Sequence, residues 1–546
     1  MTIEWSLAAI QDVIAEAVPT REMLVWTDVR RTWGEVAERS KGLAGFLLDR
    51  SIGLRHEREG LERWECGQVP VALVMHNRPE YLESMLACYR ARAVPFNVNH
   101  QYNSAEIGDL FAMIGAGAVI YQRSLGLLIA EAAAGLEVVL IDIDDGSGAE
   151  PLADSVDYSA AIEAGRGTRL PTPSGDDLYL VCTGGTTGAP KGVLWRQADI
   201  FVAAMGGSED TTAESLVAAA TGDSQVWFAA PPFMHAAAQW TAFAGLHVGA
   251  TVVMHDDSKR FDATEILTVA EREHVNLMSI VGDAYARPLV EELRRGSYDL
   301  ASLRRIGTGG AMTSMENKEA LLDLLPDVTV VDGYGASETG GMAFGAMSRT
   351  FKMAGLAGAA GAVVLTADRS RMLEPGDEEI GWIARRGRVP LGYLNDQEAT
   401  ERTFPVLDGE RLSVPGDRGQ LDADGSIRML GRDAMVVNTG GEKVFVEEVE
   451  QALLRHPDVV DVLVVGRPSS RFGQEVVAVV QLAPGAEIGG EDLREFSALS
   501  IARFKAPRAF VFTEMIRRHP TGKPDYQWAK AVAERAVAIV DSGPSI

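Results

Sequence analysis

The chain has 546 residues, too many for one compact core, so two or more domains are expected. Hydrophobic residues at 46 % and charged residues at 23 % are ordinary for a globular protein and argue against disorder. A formal net charge of −26 repels nucleic acid and anionic membrane alike, so neither is an expected partner. The opening "MTIEWSLAAIQDVIAEAVP" carries acidic residues where a signal peptide would carry lysines, and no later run reaches about 18 apolar residues. The three cysteines, Cys66, Cys88 and Cys182, form no CxxC pair. Together these features predict a cytoplasmic protein without an integral membrane segment. The nine histidines include no H-E-x-x-H, so zinc is not expected. A homodimer is allowed but not specified, since interface patches are not visible in a sequence.

Short apolar runs alternate with helical stretches along the chain: "VALVMHN" at 71, "VVLIDI" at 138, "DLYLVC" at 177, "TVVMHD" at 251, "VNLMSIVG" at 275 and "VTVVDGYG" at 328. Continuous apolar strands separated by helices predict parallel sheets covered on both faces. After Glu379 the runs "IGWIARR", "GQLD" and "SIRMLGR" are separated by polar turns and predict antiparallel or barrel-like β structure. A smaller alternating region follows, with a helix over 446–456 burying Val449, Ala452 and Leu453. The predicted class is therefore α/β: a large N-terminal domain of doubly wound sheets plus a β-barrel-like subdomain over residues 1–432, then a small α+β domain over 433–546.

The segment "YLVCTGGTTGAPKGV" (179–193) delivers a strand into a glycine-rich loop. Backbone N–H groups there can converge on an anion without Cβ interference, and phosphate is the natural guest. Thr183, Thr186 and Thr187 add hydroxyl donors and Lys191 a mobile cation. A Walker A loop requires Gly-Lys-Ser/Thr leading into a helix, whereas Ala189 and Pro190 separate Gly188 from Lys191. The alternative is a flexible surface turn. "DGYGASETG" (332–340) follows an apolar strand, and a strand end feeding a glycine turn is where α/β sheets bind ligands. A serine elbow fails here because two residues separate Ser337 from Gly340. In "VPGDRGQLDADGSIRMLGRD", a two-residue Asp424-Gly425 turn would pair Ala423 with Ser426, and counting outward sets Asp417 opposite Arg432. An ordinary cross-strand ion pair accounts for that spacing equally well. Lys523 lies between Pro520 and Pro524, which forbid a regular helix and leave it on a loop able to reach elsewhere.

"TGGTTGAPKG" resembles the signature loop of the adenylate-forming superfamily, which comprises acyl-CoA synthetases, adenylation domains and luciferases. The resemblance implies that Thr183, Gly184, Gly185, Thr186, Thr187, Gly188 and Lys191 hold the ATP phosphates. "DGYGASETG" is similar to the family's Y-G-x-T-E motif, which implies that Tyr334 packs on adenine among Asp332, Gly333, Gly335 and Ser337. It also implies that Glu338 binds Mg²⁺, and a hard carboxylate oxygen suits that ion. "IGTGGAM" resembles the segment beside adenine and acyl chain, which brings in Gly309, Gly310 and Ala311. The resemblance assigns Asp417 to the ribose hydroxyls, Arg432 to the same nucleotide, and Lys523 to the attacking carboxylate and α-phosphate. "PPFMHAAAQW" is similar to the segment whose histidine closes the acyl site, implying roles for His235 and Trp240. "NTGGEKVFVEEVE" matches the loop past which the CoA pantetheine arm runs, with Gly440 and Gly441 as the candidates.

The activity implied is an ATP- and Mg²⁺-dependent acyl-CoA synthetase that activates a carboxylic acid through an acyl-adenylate. Its C-terminal domain would be mobile, rotating near Arg432 to exchange Lys523 for the 440 loop. Ala434 stands where the family's hinge residue is usually Asp or Lys, and Val446 where proline is usual. "GDAYARPL", "GGEKVFVEEVE" and "GKPDYQWAK" look most like synthetases that load sterol side chains or other bulky acyl groups in bacterial steroid catabolism. Two other readings stay open: a fatty acyl-AMP ligase serving a phosphopantetheinyl carrier protein, and a nucleotide-binding regulator without turnover.

Overall fold

In the computed structural model the described residues are 4–183, 190–259, 261–311, 313–352, 357–432, 435–439, 442–469, 473–518 and 523–536. Three sheets built from strands before residue 394 organise the larger part of the molecule. One five-stranded sheet is parallel throughout, in the order Val94–Asn97, Pro70–Val74, Ala118–Gln122, Val139–Ile143, Val156–Asp157. Pro70–Val74 and Ala118–Gln122 are buried along their whole length, as strands covered on both faces must be.

A ten-stranded sheet has a parallel centre running Glu22–Trp26, Thr251–Met254, Val226–Ala229, Leu277–Ile280, Arg305–Gly309, Thr329–Ala336. Antiparallel strands close its margins: Val29–Thr32 at one side and Gly340–Ser348 at the other. The main core lies between these sheets and their helices, with Trp33 and Trp195 fully buried in it.

The run at 177 departs from expectation. Leu178–Thr183 joins neither parallel sheet; it pairs antiparallel with Lys191–Arg196, which in turn pairs with Gly392–Tyr393, in a separate three-stranded sheet. The glycine-rich loop returns the chain directly, so no crossover helix is available to make a parallel neighbour.

Beyond residue 360 the expected antiparallel sheet forms, in the order Val406–Leu407, Glu410–Ser413, Gly381–Arg386, Asp417–Leu421, Ile427–Arg432, with Ala362–Leu365 also on Gly381–Arg386. The last five-stranded sheet carries the long pair Val459–Ser469 and Gly473–Leu482, with Ala509–Thr513 parallel to the latter. The helix expected near 446 spans Val446–Leu454, buries Val449, Ala452 and Leu453 on that sheet, and carries Glu447 and Glu448 in its first turn, where the helix dipole favours them. This terminal unit touches the larger one: Arg287 donates to the Val460 carbonyl at 2.5 Å, and Glu447 lies against Gly431.

Candidate functional site

The parallel strands of both large sheets release loops from their carboxyl ends, the edge where open α/β sheets bind ligands. His76 and Asn77 follow Pro70–Val74, Asn97 ends Val94–Asn97, His235 follows Val226–Ala229, and Gly309 ends Arg305–Gly309. Two asparagines tie these loops together. The Asn77 amide donates to the Pro231 carbonyl at 3.2 Å and accepts from the Phe233 N–H at 2.7 Å. The Asn97 amide donates to the carbonyls of Cys182 at 2.9 Å and Met234 at 2.7 Å, while its oxygen accepts from the Cys182 N–H at 2.8 Å. Asn97 thus fastens the base of the glycine loop to the residue before His235.

His235 caps the helix Ala236–Leu246 with its backbone, and its Nε2 is buried without a hydrogen-bond partner among the described residues. Burial lowers its pKa to about 3, and the positive charge of Lys523 pushes in the same direction, followed by His100. Lys523 belongs to the C-terminal unit, so that unit already brings its cation within electrostatic reach of the His235 loop. Trp240 lies on the same helix, half-buried against the main core.

The strand Thr329–Ala336 carries Asp332, Gly333, Tyr334 and Gly335. Tyr334 donates its hydroxyl to Asp417 Oδ2 at 2.8 Å, and Asp332 is ion-paired with Lys318. Gly335 must be glycine, since a Cβ there would fall 2.2 Å from the Gly340 carbonyl oxygen. Gly309 is held beside Gly333, whose carbonyl oxygen leaves only 2.9 Å for a Cβ, and Gly310 has φ +74°, the left-handed region. Ala311 follows in the same bend.

The turn bearing Ser337 and Glu338 is pinned from three sides. Trp195 Nε1 donates to the Ser337 carbonyl at 2.8 Å, Ser413 Oγ to the Glu338 carbonyl at 2.5 Å, and buried Arg385 to the carbonyls of Thr339 and Gly341 at 2.9 and 2.6 Å. The Glu338 carboxylate accepts the Tyr393 hydroxyl at 2.9 Å. Lys191 Nζ sits 4.7 Å from the Tyr393 ring centroid and 3.2 Å from Asp396, so the cation at the end of the glycine loop and the acid of the Glu338 turn share one aromatic neighbour. Thr183 pairs with Lys191 across the loop's base.

Asp417 does stand opposite Arg432, but not by the expected route. The Asp422 N–H donates to the Ser426 carbonyl, which closes a three-residue loop, Ala423 to Gly425, instead of a two-residue turn. The inner pairs Leu421–Ile427, Gln420–Arg428 and Gly419–Met429 are therefore one residue out of the expected register. A bulge between Arg418 and Gly419 then restores it, giving Arg418–Gly431 and Asp417–Arg432.

Gly184, Gly185, Thr186, Thr187, Gly188, Ala434, Gly440 and Gly441 lie outside the described residues, as does the Arg432 side chain. The structure thus draws Thr183, Lys191, His235, Gly309, Gly310, Tyr334, Glu338 and Asp417 onto connected loops and strand ends, with Lys523 approaching from the terminal unit. Sequence reasoning missed Asn77, Asn97, Trp195, Arg385 and Tyr393. The asparagines had a faint signal, a polar residue closing an apolar strand in "VMHN" and "VPFN"; the other three act through contacts distant in sequence.

Comparison with known proteins agrees with this architecture. Residues 12–394 match the family model described as AMP-binding enzyme, and residues 448–523 match the AMP-binding enzyme C-terminal domain. The chain is 42 % identical over 543 residues to the medium-chain acyl-CoA ligase Mig of Mycobacterium avium, covering 97 % of this chain and 99 % of the relative. It is 36 % identical to a medium/long-chain-fatty-acid–CoA/3-oxocholest-4-en-26-oate–CoA ligase of Mycobacterium tuberculosis, covering 98 % of this chain and 97 % of the relative. Among solved structures, the anthranilate CoA ligase AuaEII in complex with anthranoyl-AMP superposes with a TM-score of 0.82 at 20 % identity, over 98 % of each chain, which supports the fold. The chain belongs to the AMP-binding, adenylate-forming enzyme family.

Proposed function

We propose that this protein is an AMP-forming acyl-CoA ligase whose acids are medium- to long-chain fatty acids and bulky, sterol-derived side chains. The observation that carries the reading is that the positive charge of the C-terminal Lys523 is felt at His235, at the same carboxyl edge of the sheets as Tyr334 and Gly309. In the first half-reaction a carboxylate oxygen of the acid attacks the α-phosphorus of ATP, the bond to the β-phosphate oxygen breaks, and acyl-AMP and pyrophosphate result. Lys523 stabilises the charge that builds on the carboxylate and α-phosphate oxygens. Neutral His235 closes the acyl site without adding a second cation beside the carboxylate. Tyr334 and Asp417 hold adenine and ribose, with Arg432 on the same nucleotide, and the loop from Thr183 to Lys191 holds the β- and γ-phosphates.

The Glu338 carboxylate fits a hard divalent cation: one oxygen is oriented by Tyr393 and the turn is immobilised by Trp195, Ser413 and Arg385. Mg²⁺ bound there supplies charge neutralisation of the triphosphate. In the second half-reaction the CoA sulfur attacks the acyl carbonyl and AMP departs. We assign the change between steps to rotation of residues 433–546 about the junction near Arg432, which withdraws Lys523 and presents Gly440 and Gly441. The small residues Ala236, Ala237, Ala238, Gly309 and Gly310 leave width for a ringed acyl group.

The test is a thioester-formation screen with ATP, Mg²⁺ and CoA over acids of graded chain length and ring content, with a phosphopantetheinyl carrier protein as the competing acceptor. Pyrophosphate release without CoA thioester, restored by the carrier protein, would replace the ligase reading by the acyl-AMP ligase one.

A further inference from the structure

His76, His100 and Asp257 are far apart in sequence, yet each follows a strand of the two parallel sheets, and their ligating atoms lie within 4.8 Å of one another. The two imidazole rings are 4.0 Å apart between centroids and tilted by 51°. His76 Nδ1 is 3.4 Å from Asp257 Oδ1, with side-chain exposures of 18 % and 9 %. The Nδ1 atoms of both histidines are buried and make no hydrogen bond to any described residue. Buried imidazole nitrogens that make no hydrogen bond are costly unless something else satisfies them, and among the described residues His76 Nδ1 has only the Asp257 carboxylate near it as a charged neighbour. Asp257 is already oriented for a further ligand, because its Oδ1 accepts the Asn77 N–H at 2.6 Å.

We propose that His76, His100 and Asp257 form a binding site for one divalent transition-metal ion of borderline softness, such as Zn²⁺ or Co²⁺. Two imidazoles and one carboxylate are a donor set that such ions prefer over Mg²⁺, and three protein ligands leave at least one position for water. The Asn77 N–H on Asp257 acts as the outer partner that fixes the carboxylate. This site is distinct from the Glu338 carboxylate, and the inference does not rest on the ligase reading. Its structural consequence is specific: the ion would join the turns after Pro70–Val74, Val94–Asn97 and Thr251–Met254. Asn77, in the first of these, bonds both Pro231 and Phe233, so the ion would brace the loop that leads into His235. No local motif announces the site, since the three ligands converge only when both sheets are assembled.

The test uses the full chain, stripped with chelator and held free of nucleotide, titrated with Co²⁺ while the visible ligand-field bands are followed and then displaced with Zn²⁺. One equivalent of Co²⁺ giving intense, low-symmetry bands is expected, with affinity reduced by about 100-fold or more in His100→Gln and Asp257→Asn and unchanged in Glu338→Gln. Zn²⁺ is expected to raise the melting temperature of the wild type and not of His100→Gln. His76→Gln provides an independent reading if His100→Gln does not fold. A wild type without such bands, or bands and a melting shift that persist in the folded His76, His100 and Asp257 variants, overturns the proposal.

Discussion

The hydroxyl of Tyr334 is bonded at 2.8 Å to Asp417 Oδ2, across 83 residues of chain and between two different sheets. One contact therefore couples the strand bearing the proposed adenine platform to the hairpin bearing the proposed ribose acceptor. Replacing Asp417 by Ala is predicted to raise the KM for ATP by about tenfold or more, the effect of losing charged hydrogen bonds to a ligand. Tyr334→Phe should raise it less, since the ring remains. Steady-state kinetics with varied ATP decide the matter, and an unchanged KM in Asp417→Ala removes the ribose role.

Lys523 should separate the half-reactions. Lys523→Ala is predicted to slow acyl-adenylate formation by roughly 100- to 1,000-fold, the scale for loss of one oriented charge at the transition state. Thioester formation from supplied acyl-adenylate and CoA should stay within a few-fold of normal. Pyrophosphate release in a single turnover measures the first step, and equal loss in both steps would contradict a role confined to adenylation.

Asn97 is 5 % exposed and makes three hydrogen bonds that fasten Cys182 and Met234. Asn97→Leu keeps the volume but strands buried backbone groups, at a cost of about 2–4 kcal/mol. Denaturant unfolding reads that loss directly. Turnover should fall further than stability alone explains, because the same side chain aligns the glycine loop with His235. A variant of wild-type stability would show that Asn97 is not the staple described.

His235 and His247 are both held neutral by burial, at about 3 and about 4 against an ordinary 6.5, with His247 also bonded to the Met205 carbonyl. Both folded values lie below the unfolded one, so between pH 6.5 and 4 the unfolded chain binds more protons and stability falls as pH falls. Each histidine should contribute about 2 kcal/mol of loss between about pH 7 and pH 5. Unfolding free energies measured across that range should slope upward with pH, and His247→Gln should flatten the slope. A slope unaltered in His247→Gln would place its proton uptake elsewhere.

Gly335→Ala is predicted to abolish adenylation more completely than it lowers stability. The added carbon meets the Gly340 carbonyl at 2.2 Å and must open the turn that carries Glu338. Pyrophosphate release and thermal unfolding on the same preparation compare the two losses, and a variant with normal turnover would show that the turn tolerates opening.

Much of the fold was legible because burial imposes composition. Strands covered on both faces are mostly apolar: Pro70–Val74 is apolar throughout and Thr251–Met254 is buried along its length, and the runs at 275 and 328 keep enough apolar residues around Ser279 and Asp332 for their sheet to be anticipated. The run at 177 has the same texture and a different fate, because sheet membership depends on how the chain returns and not on the strand's own residues. The Glu338 turn was legible as a motif, while its supports were not: Trp195, Arg385, Tyr393 and Ser413 reach it from up to 142 residues away.

The amino-acid order alone determined which segments were proposed to carry the chemistry, because glycines at tight turns, a lysine between prolines and acids after strands are local features. It also placed Asp417 against Arg432, although the reasoning was offset by one residue at the loop and one at the bulge, and the two offsets cancel. Only the tertiary structure decided that the Lys523 charge is felt at His235, that Asn97 couples two loops, and that His76, His100 and Asp257 meet. These depend on distances across assembled sheets, which no short stretch of sequence encodes, since long-range contacts form only when the whole core has excluded water.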